Sequence, residues 1–175
     1  MKQKFINYYM KVAELTSTLS YAKRLKVGSV IVKGNKILAT GYNGMPSGWD
    51  NNCESFEYMS IDAGGWLDPE EIYERWPFVE DDIDPDLGYA RRYCLKTKDE
   101  VLHAETNAIA KVSASTESSE GATMFCTHAP CINCAKLIYQ SGINSLYYRN
   151  TYRDTAGIEF LESSGVSVTK YETQV

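Results

Sequence analysis

The chain has 175 residues, of which 43% are hydrophobic and 23% are charged, and its formal net charge at pH 7 is −5. These values are ordinary for a single globular domain with a full core, and the negative charge argues against a long nucleic-acid partner. No stretch approaches the apolar length of a membrane span and no secretory signal is visible, so we expect a protein without a membrane anchor.

The five cysteines are an odd number, which favours free thiols in a reducing compartment over a disulfide framework. We therefore expect a cytoplasmic protein, in the host cytoplasm if the chain is viral. Cys53 and Cys94 leave room for a second metal site, but the chain has only two histidines, His103 and His128, which makes that interpretation the weaker one.

The first part of the chain predicts a helix followed by a hairpin. Apolar residues recur at roughly helical spacing through residues 2–19. The apolar runs 27–32 and 36–42 are separated by the turn signal Gly34-Asn35, which predicts two antiparallel strands. Gly41 and Gly44 flank the end of the second strand, and glycine there permits positive φ and close approach of the backbone to a ligand.

A cluster of cations lies between this helix and the hairpin: Lys23, Arg24 and Lys26. The cluster is either ordinary surface charge or a phosphate cradle, since Arg engages phosphate with two parallel hydrogen bonds and Lys acts as a point charge. Its position directly before a strand that should reach the site keeps the second interpretation open.

Residues 50–98 read as an acidic, aromatic-rich insert in one domain that spans residues 1–175. Thirteen acidic groups lie between residues 50 and 87 against one basic group, Arg75, so the remainder of the chain carries +7. The aromatic residues indicate a packed segment, with short helices at about 69–75 and 86–97. Solvated surface is the simplest explanation of the acidity, and a magnesium or polyamine contact is the alternative.

The second half of the chain alternates helices and strands. Helices are predicted at 101–111, 131–140 and 155–164, and strands at 122–127, 145–148 and 166–171. Together with the first part, this order predicts an α/β protein with a five-stranded mixed sheet and helices on both faces. The hairpin pairing should be antiparallel, and each crossover helix implies parallel neighbours.

The stretch from His103 to Cys134 has the pattern of a metal site. His103 and Glu105 lie near the start of one predicted helix, and Cys131 and Cys134 stand at i and i+3 on one face of the next. Zinc takes nitrogen and sulfur ligands in a tetrahedron, and catalytic zinc sites combine three protein ligands with an open position for water. We therefore expect zinc on His103, Cys131 and Cys134, with Glu105 as the general acid and base beside the activated water.

A Cys-x-x-Cys pair alone is also typical of a redox centre or of half a structural zinc knuckle. Because His103 and Glu105 accompany the pair, the catalytic interpretation is favoured.

The His-x-Glu and Pro-Cys-x-x-Cys strings together resemble the zinc-dependent cytidine deaminase superfamily. Within it the chain is similar to the deoxycytidylate (dCMP) deaminases, on the strings 27–32, 41–46, 103–109, 131–136 and 140–143. The resemblance covers most of residues 1–49 and 99–170 and is weak across about 50–98. Some relatives bind a structural zinc through histidines in that region, and this chain has none between residues 47 and 98. The resemblance implies a three-layer α/β/α, cytidine-deaminase-like fold.

The resemblance also implies roles for residues around the metal. Asn43 would hold the sugar 3′-OH and the pyrimidine edge, the backbone N–H of Ala104 would bind the base O2, and Tyr152 would lie against the base. Arg24, Lys26 and Arg153 would bind the substrate phosphate.

The reaction that the resemblance implies is hydrolysis of dCMP to dUMP and ammonia, which supplies dUMP for thymidylate synthesis. Many members are homo-oligomers, often hexamers, that dCTP activates and dTTP inhibits, with Mg²⁺ accompanying the triphosphate. An effector on the outer side of the glycine-rich loop, at Tyr42, Gly44 and Met45, would bias Asn43 towards or away from the zinc.

Other functions remain open at this point. A deaminase of another cytosine nucleotide or of nucleic acid would use the same chemistry, but a nucleic-acid enzyme should show a basic track with stacking aromatics. A riboflavin-pathway deaminase usually carries a reductase domain. A structural zinc protein or nucleotide-binding regulator would close its metal site with a fourth protein ligand and would have no need of Glu105.

Overall fold

The computed structural model describes residues 1–60, 67–152 and 154–172. The chain divides into two compact units, which we call the sheet unit (Met1–Asn51 with Glu100–Val175) and the insert unit (Asn52–Asp99). None of the helices within the described residues has the length and apolar character needed to cross a bilayer.

Five helices and eight strands occur among the described residues. In chain order they are α1 (Gln3–Ser17), β1 (Gly28–Lys33), β2 (Lys36–Tyr42), β3 (Glu54–Tyr58), α2 (Pro69–Arg75), β4 (Phe78–Val79), β5 (Arg92–Thr97), α3 (Ala104–Ser113), β6 (Thr123–His128), α4 (Ile132–Gln140), β7 (Ser145–Asn150), α5 (Ala156–Ser163) and β8 (Ser167–Lys170).

The sheet unit contains the predicted five-stranded mixed sheet, in the order β2-β1-β6-β7-β8. The hairpin is confirmed: β1 and β2 pair antiparallel, and Gly34 and Asn35 both have positive φ, as a two-residue hairpin turn requires. The α4 and α5 crossovers join parallel neighbours, as predicted. The prediction is wrong for α3, because β1 lies between β2 and β6 and pairs antiparallel with both.

Side chains on the central strands alternate between two helical layers, which confirms the three-layer architecture. Val30, Val32 and Phe125 face α1 and pack with Tyr9 and Met10. The intervening residues face the other side, where α3, α4 and α5 cover the sheet: Ile31, Met124, Cys126 and Leu146. The strands that carry the site are therefore buried on both faces.

The insert unit is built on a three-stranded antiparallel sheet in the order β3-β5-β4. The predicted helix at 69–75 is confirmed as α2, which begins with a capping box between Asp68 and Glu71. The predicted helix at 86–97 is wrong, because residues 92–97 form strand β5. The Tyr93 ring lies 4.8 Å from that of Phe56 across the β3–β5 pair, so long-range aromatic pairing decides the conformation of this segment.

An ion-pair network accounts for part of the insert's acidity. The Arg91 guanidinium donates two hydrogen bonds to Glu80, at 3.0 and 3.2 Å, and lies 3.2 Å from an Asp84 oxygen. Hydrogen bonds from Arg91 and Tyr58 lower the pKa of Glu80. The groups are half-buried and still within reach of solvent, so the network orders the segment and adds little to its stability.

Candidate metal centre and active site

The three predicted metal ligands come together at two helix N-termini. His103 is the N-cap of α3, Cys131 is the N-cap of α4, and Cys134 lies in the first turn of α4. Both helices begin slightly later than predicted, so His103 and Cys131 stand just outside them. The ligand atoms of the three residues all lie within 4.8 Å of one another.

The donor set fits zinc. The His103 Nδ1 atom lies 3.7 Å from the Cys131 Sγ atom and 3.3 Å from the Cys134 Sγ atom. Tetrahedral zinc with ordinary Zn–N and Zn–S bonds needs a nitrogen–sulfur separation of about 3.6 Å. The side chains are therefore already spaced as one imidazole and two thiolates around a single ion.

The three groups share protons through hydrogen bonds with one another. Hydrogen bonds from Cys134 and His103 lower the pKa of Cys131 to about 3. The hydrogen bond to Cys131 and burial raise the pKa of Cys134, and the hydrogen bond with Cys131 raises that of His103. A metal that binds all three groups must therefore displace protons from Cys134 and His103, and the helix N-termini help to stabilise the thiolates.

Glu105 lies in the first turn of α3, two residues after His103, and only 4% of it is exposed. Burial raises the pKa of the Glu105 carboxyl, and a hydrogen bond from its own backbone, the nearby His103 and a hydrogen bond with Cys134 offset this only in part. A buried carboxyl with a raised pKa beside a metal site is suited to accepting and returning a proton near neutral pH.

The peptide between His103 and Glu105 is held from the sheet side. The Ser29 hydroxyl, fully buried on β1, donates a 2.7 Å hydrogen bond to the Ala104 carbonyl oxygen. A Cβ atom on Gly41 would lie 2.1 Å from the same oxygen. Gly41 is thus required for packing of β2 against α3, and neither Gly41 nor Gly44 adopts the positive φ that a glycine permits.

The Asn43 side chain makes hydrogen bonds to the backbone of the segment before β1. Its Oδ1 atom accepts a 2.7 Å hydrogen bond from the Val27 N–H, and its Nδ2 atom donates a 2.8 Å bond to the Leu25 carbonyl. The buried Ser20 hydroxyl donates to the Asn43 carbonyl at 2.7 Å. Asn43 therefore clamps the segment that contains Arg24 and Lys26, a contact that the sequence did not indicate.

The basic segment itself is exposed. Lys23, Arg24 and Lys26 all lie on the surface immediately before β1. Their charge is thus within reach of solvent, and the clamp on Leu25 and Val27 limits the movement of the backbone between them.

The predicted effector loop is tied to the metal site. Gly44 and Leu102 exchange two backbone hydrogen bonds of 3.1 and 2.9 Å, and Leu102 directly precedes His103. Tyr42 and Met45, on either side of this bridge, are half-buried.

The remaining predicted substrate contacts, Tyr152 and Arg153, follow β7 in the sequence. Tyr152 is half-buried after the end of β7, and Arg153 lies outside the described residues.

At the end of β6 the Thr127 hydroxyl accepts a 3.1 Å hydrogen bond from Gly28, and Asn150 donates to the Thr127 carbonyl at 2.9 Å. Sequence reasoning missed Ser29, Thr127 and Asn150, although a serine and a threonine inside strongly apolar strands were a signal of buried hydrogen bonds.

Comparison with known proteins agrees with this geometry. Residues 3–150 match the family model of the cytidine and deoxycytidylate deaminase zinc-binding region. The deoxycytidylate deaminase of Enterobacteria phage T2 is 35% identical, over 91% of this chain and 88% of the relative. That of Mycobacterium phage D29 is 31% identical, over 81% of this chain and 91% of the relative.

A solved structure also matches almost end to end. The crystal structure of dCMP deaminase from the cyanophage S-TIM5, in complex with dCMP and dUMP, superposes with a TM-score of 0.71. The two chains are 39% identical, and the match covers 98% of this chain and 99% of the phage chain. The chain therefore belongs to the cytidine and deoxycytidylate deaminase family and is a hydrolase that acts on carbon–nitrogen bonds.

Proposed function

We propose that this protein hydrolyses dCMP to dUMP and ammonia, with one zinc ion held by His103, Cys131 and Cys134, and so supplies dUMP for thymidylate synthesis. The observation that carries the proposal is the set of three ligand atoms within 4.8 Å of one another beside the buried Glu105 carboxyl. The choice of dCMP is supported by the phage relatives named for this activity and by the S-TIM5 complex with dCMP and dUMP.

The chemistry divides between the metal and the chain. When bound, zinc lowers the pKa of a coordinated water molecule to near 7. The Glu105 carboxylate takes the proton of the attacking water, delivers a proton to N3 of the pyrimidine, and then assists the departing amine. The Ala104 N–H, in the first turn of α3, binds the base O2, and Ser29 fixes the same residue through its carbonyl.

Asn43 and Tyr152 complete the substrate site in this proposal. Asn43 has one amide proton and one oxygen lone pair beyond those used on Leu25 and Val27, and these serve the sugar 3′-OH and the pyrimidine edge. Tyr152 packs on the base. Arg24 and Lys26, with Arg153, hold the 5′-phosphate.

The phosphate contacts predict a marked preference for the monophosphate. Arg24→Gln and Lys26→Met should each lower kcat/KM for dCMP by about ten- to a hundredfold, because a hydrogen bond to a charged group contributes about 1.5–3 kcal/mol. Rates with deoxycytidine should be low in the wild type and unchanged in both variants. Ammonia release from dCMP, CMP, dCTP, deoxycytidine and single-stranded DNA measures these preferences.

Lys33→Met is the matched control, since Lys33 is an exposed cation at the opposite end of β1. It should leave the preference intact. Equal rates on deoxycytidine and dCMP in the wild type would contradict the phosphate cradle, and rapid release from single-stranded DNA would favour a nucleic-acid deaminase.

Regulation by nucleotides is the second part of the proposal. The loop of Tyr42, Gly44 and Met45 touches the chain next to His103 through the Gly44–Leu102 bridge. An effector that binds one conformation of this loop more tightly than another would therefore change how Asn43 contacts the substrate. We propose dCTP as activator and dTTP as inhibitor, each with Mg²⁺, acting on a homo-oligomer for which a hexamer is one candidate.

We expect a sigmoidal dependence of initial rate on dCMP concentration, which dCTP makes hyperbolic and dTTP suppresses. The measurement is initial rate against dCMP concentration, with each triphosphate and Mg²⁺ added separately. Hyperbolic curves that neither triphosphate moves would mean an unregulated enzyme, whether or not the chain forms an oligomer.

Three further predictions belong to the proposal. The protein works in the cytoplasm, that of the host if it is viral, without a nucleic-acid or membrane partner. Residues 1–175 act as one deaminase domain that carries the acidic insert. A structural zinc protein is disfavoured because the metal group found among the described residues has three protein ligands, whereas structural sites usually have four.

A further inference from the structure

Side chains of α3 donate hydrogen bonds to backbone carbonyls on the outer edge of β2. In an antiparallel pair, alternate residues turn their backbone groups away from the partner strand. Thr40 and Tyr42, two residues apart on β2, turn their carbonyls towards α3. The Lys111 Nζ atom donates to the Thr40 carbonyl at 2.8 Å, and the Asn107 Nδ2 atom donates to the Tyr42 carbonyl at 3.0 Å.

These two hydrogen bonds, which we call ties, lie at different positions along β2 relative to the site. Thr40 lies inside β2, where the strand is also held by its ladder with β1. Tyr42 is the last residue of the strand and directly precedes Asn43. The Asn107 bond therefore joins β2 to α3 at the residue where the loop begins.

Asn107, which donates this hydrogen bond from α3, also lies close to the proposed metal ligand His103. The Asn107 N–H donates a 3.0 Å backbone hydrogen bond to the His103 carbonyl, so the two residues are one helical turn apart. The Gly44–Leu102 bridge then closes the loop on its far side. Tyr42 through Gly44 are thus attached to α3 at one end and to the residue before His103 at the other.

We propose that Asn107 is a positioning residue, whose side-chain amide fixes the Tyr42 carbonyl and so sets the distance of Asn43 from His103 and Glu105. Asn107 does not touch the substrate in this scheme. It acts through the loop, and its effect falls on substrate binding because Asn43 contacts the sugar and base in the ground state and the transition state alike. The inference rests on the proposed function for this kinetic consequence, and the tie itself can be measured without substrate.

The test compares Asn107→Asp and Asn107→Ala with Lys111→Met in the full chain loaded with zinc. Asp has nearly the same shape as Asn but turns an acceptor towards the Tyr42 carbonyl, and Ala removes the side chain without adding charge. Lys111→Met removes the neighbouring tie, to Thr40, while keeping the aliphatic stem beside the Tyr42 ring, which lies 5.7 Å from the Lys111 Nζ atom.

Hydrogen–deuterium exchange of the Gly44 and Leu102 amides reports the tie directly. Both Asn107 variants should exchange there about fivefold faster than wild type, the factor that corresponds to one hydrogen bond of about 1 kcal/mol. In the kinetic assay both should raise KM for dCMP by about five- to tenfold with kcat little changed, as expected for lost uniform binding. Lys111→Met should match wild type in exchange and in KM, and all variants should retain their zinc.

The outcomes separate the inference from the proposed function. Unchanged exchange at Gly44 and Leu102 in both Asn107 variants would overturn the inference whatever the activity. Faster exchange with unchanged KM in an enzyme that turns over dCMP would also overturn it, because the tie would then be merely structural. A wild-type protein without activity on dCMP would refute the proposed function, and the exchange result would still decide whether Asn107 holds the loop.

Discussion

Glu105→Gln is expected to lower kcat on dCMP by at least about a thousandfold while the protein keeps its fold and its zinc. A single general acid or base contributes about 10²–10⁴ to the rate, and Glu105 serves several proton transfers in one turnover. Gln fills nearly the same volume in this buried position but cannot take up and return a proton. Ammonia release gives kcat, and elemental analysis gives the zinc content of the same sample.

Glu100→Gln is the control for charge, because Glu100 is exposed and lies five residues earlier in the chain. It should behave as wild type. Activity of Glu105→Gln within tenfold of wild type, with zinc retained, would end the proton-transfer role assigned to Glu105.

Cys134→Ala should lose zinc and activity together. Cys134 is 1% exposed and its Sγ atom lies 3.3 Å from the His103 nitrogen, so Ala leaves this buried position without a metal-binding atom. Loss of a group that merely supports a ligand costs about 10–100-fold in metal affinity, and loss of a ligand should cost more. Zinc content after dialysis and ammonia release from dCMP are the measurements.

Cys126→Ala is the matched control for this variant. Cys126 is fully buried on β6, and burial raises the pKa of its thiol, so it should neither bind metal nor react. It should keep one zinc per chain with a modest loss of stability. Full zinc content in Cys134→Ala would remove Cys134 from the site.

The fold of the sheet unit could be predicted because its signals are local. The continuous apolar run of β1, the Gly34-Asn35 turn, and Pro130 with Gly142 around α4 are each readable within a few residues. The position of β1 between β2 and β6 is not local, since it depends on which strands pair across about ninety residues or more, as Ser29 and Cys126 do here.

Strand β5 shows the same limit in the insert unit. Tyr93 gains its conformation from the rings of Phe56 and Phe78, which lie 4.8 and 5.4 Å away and belong to two other strands. Without knowledge of those partners, the sequence after Pro85 predicts a helix, and only the strand pairing decides against it.

The site was predictable to the extent that chemistry restricts residue type. One imidazole, two thiols and a carboxyl at that spacing have few other uses, and the structure brings His103, Cys131 and Cys134 together. Amide side chains carry no such restriction. Nothing in the sequence indicates that Asn43 clamps Leu25 and Val27, because this contact depends on the register of β1 with β2. Nor does it indicate that Asn107 bonds the Tyr42 carbonyl, because that contact depends on the packing of β2 against α3.

The most direct test of the account is a zinc titration of metal-free protein during continuous measurement of ammonia and dUMP formed from dCMP. We expect the rate to rise in proportion to added zinc and to stop rising at one ion per chain, with one ammonia released for each dUMP. Turnover that does not depend on zinc, or zinc binding at this stoichiometry without any dUMP, would contradict the account.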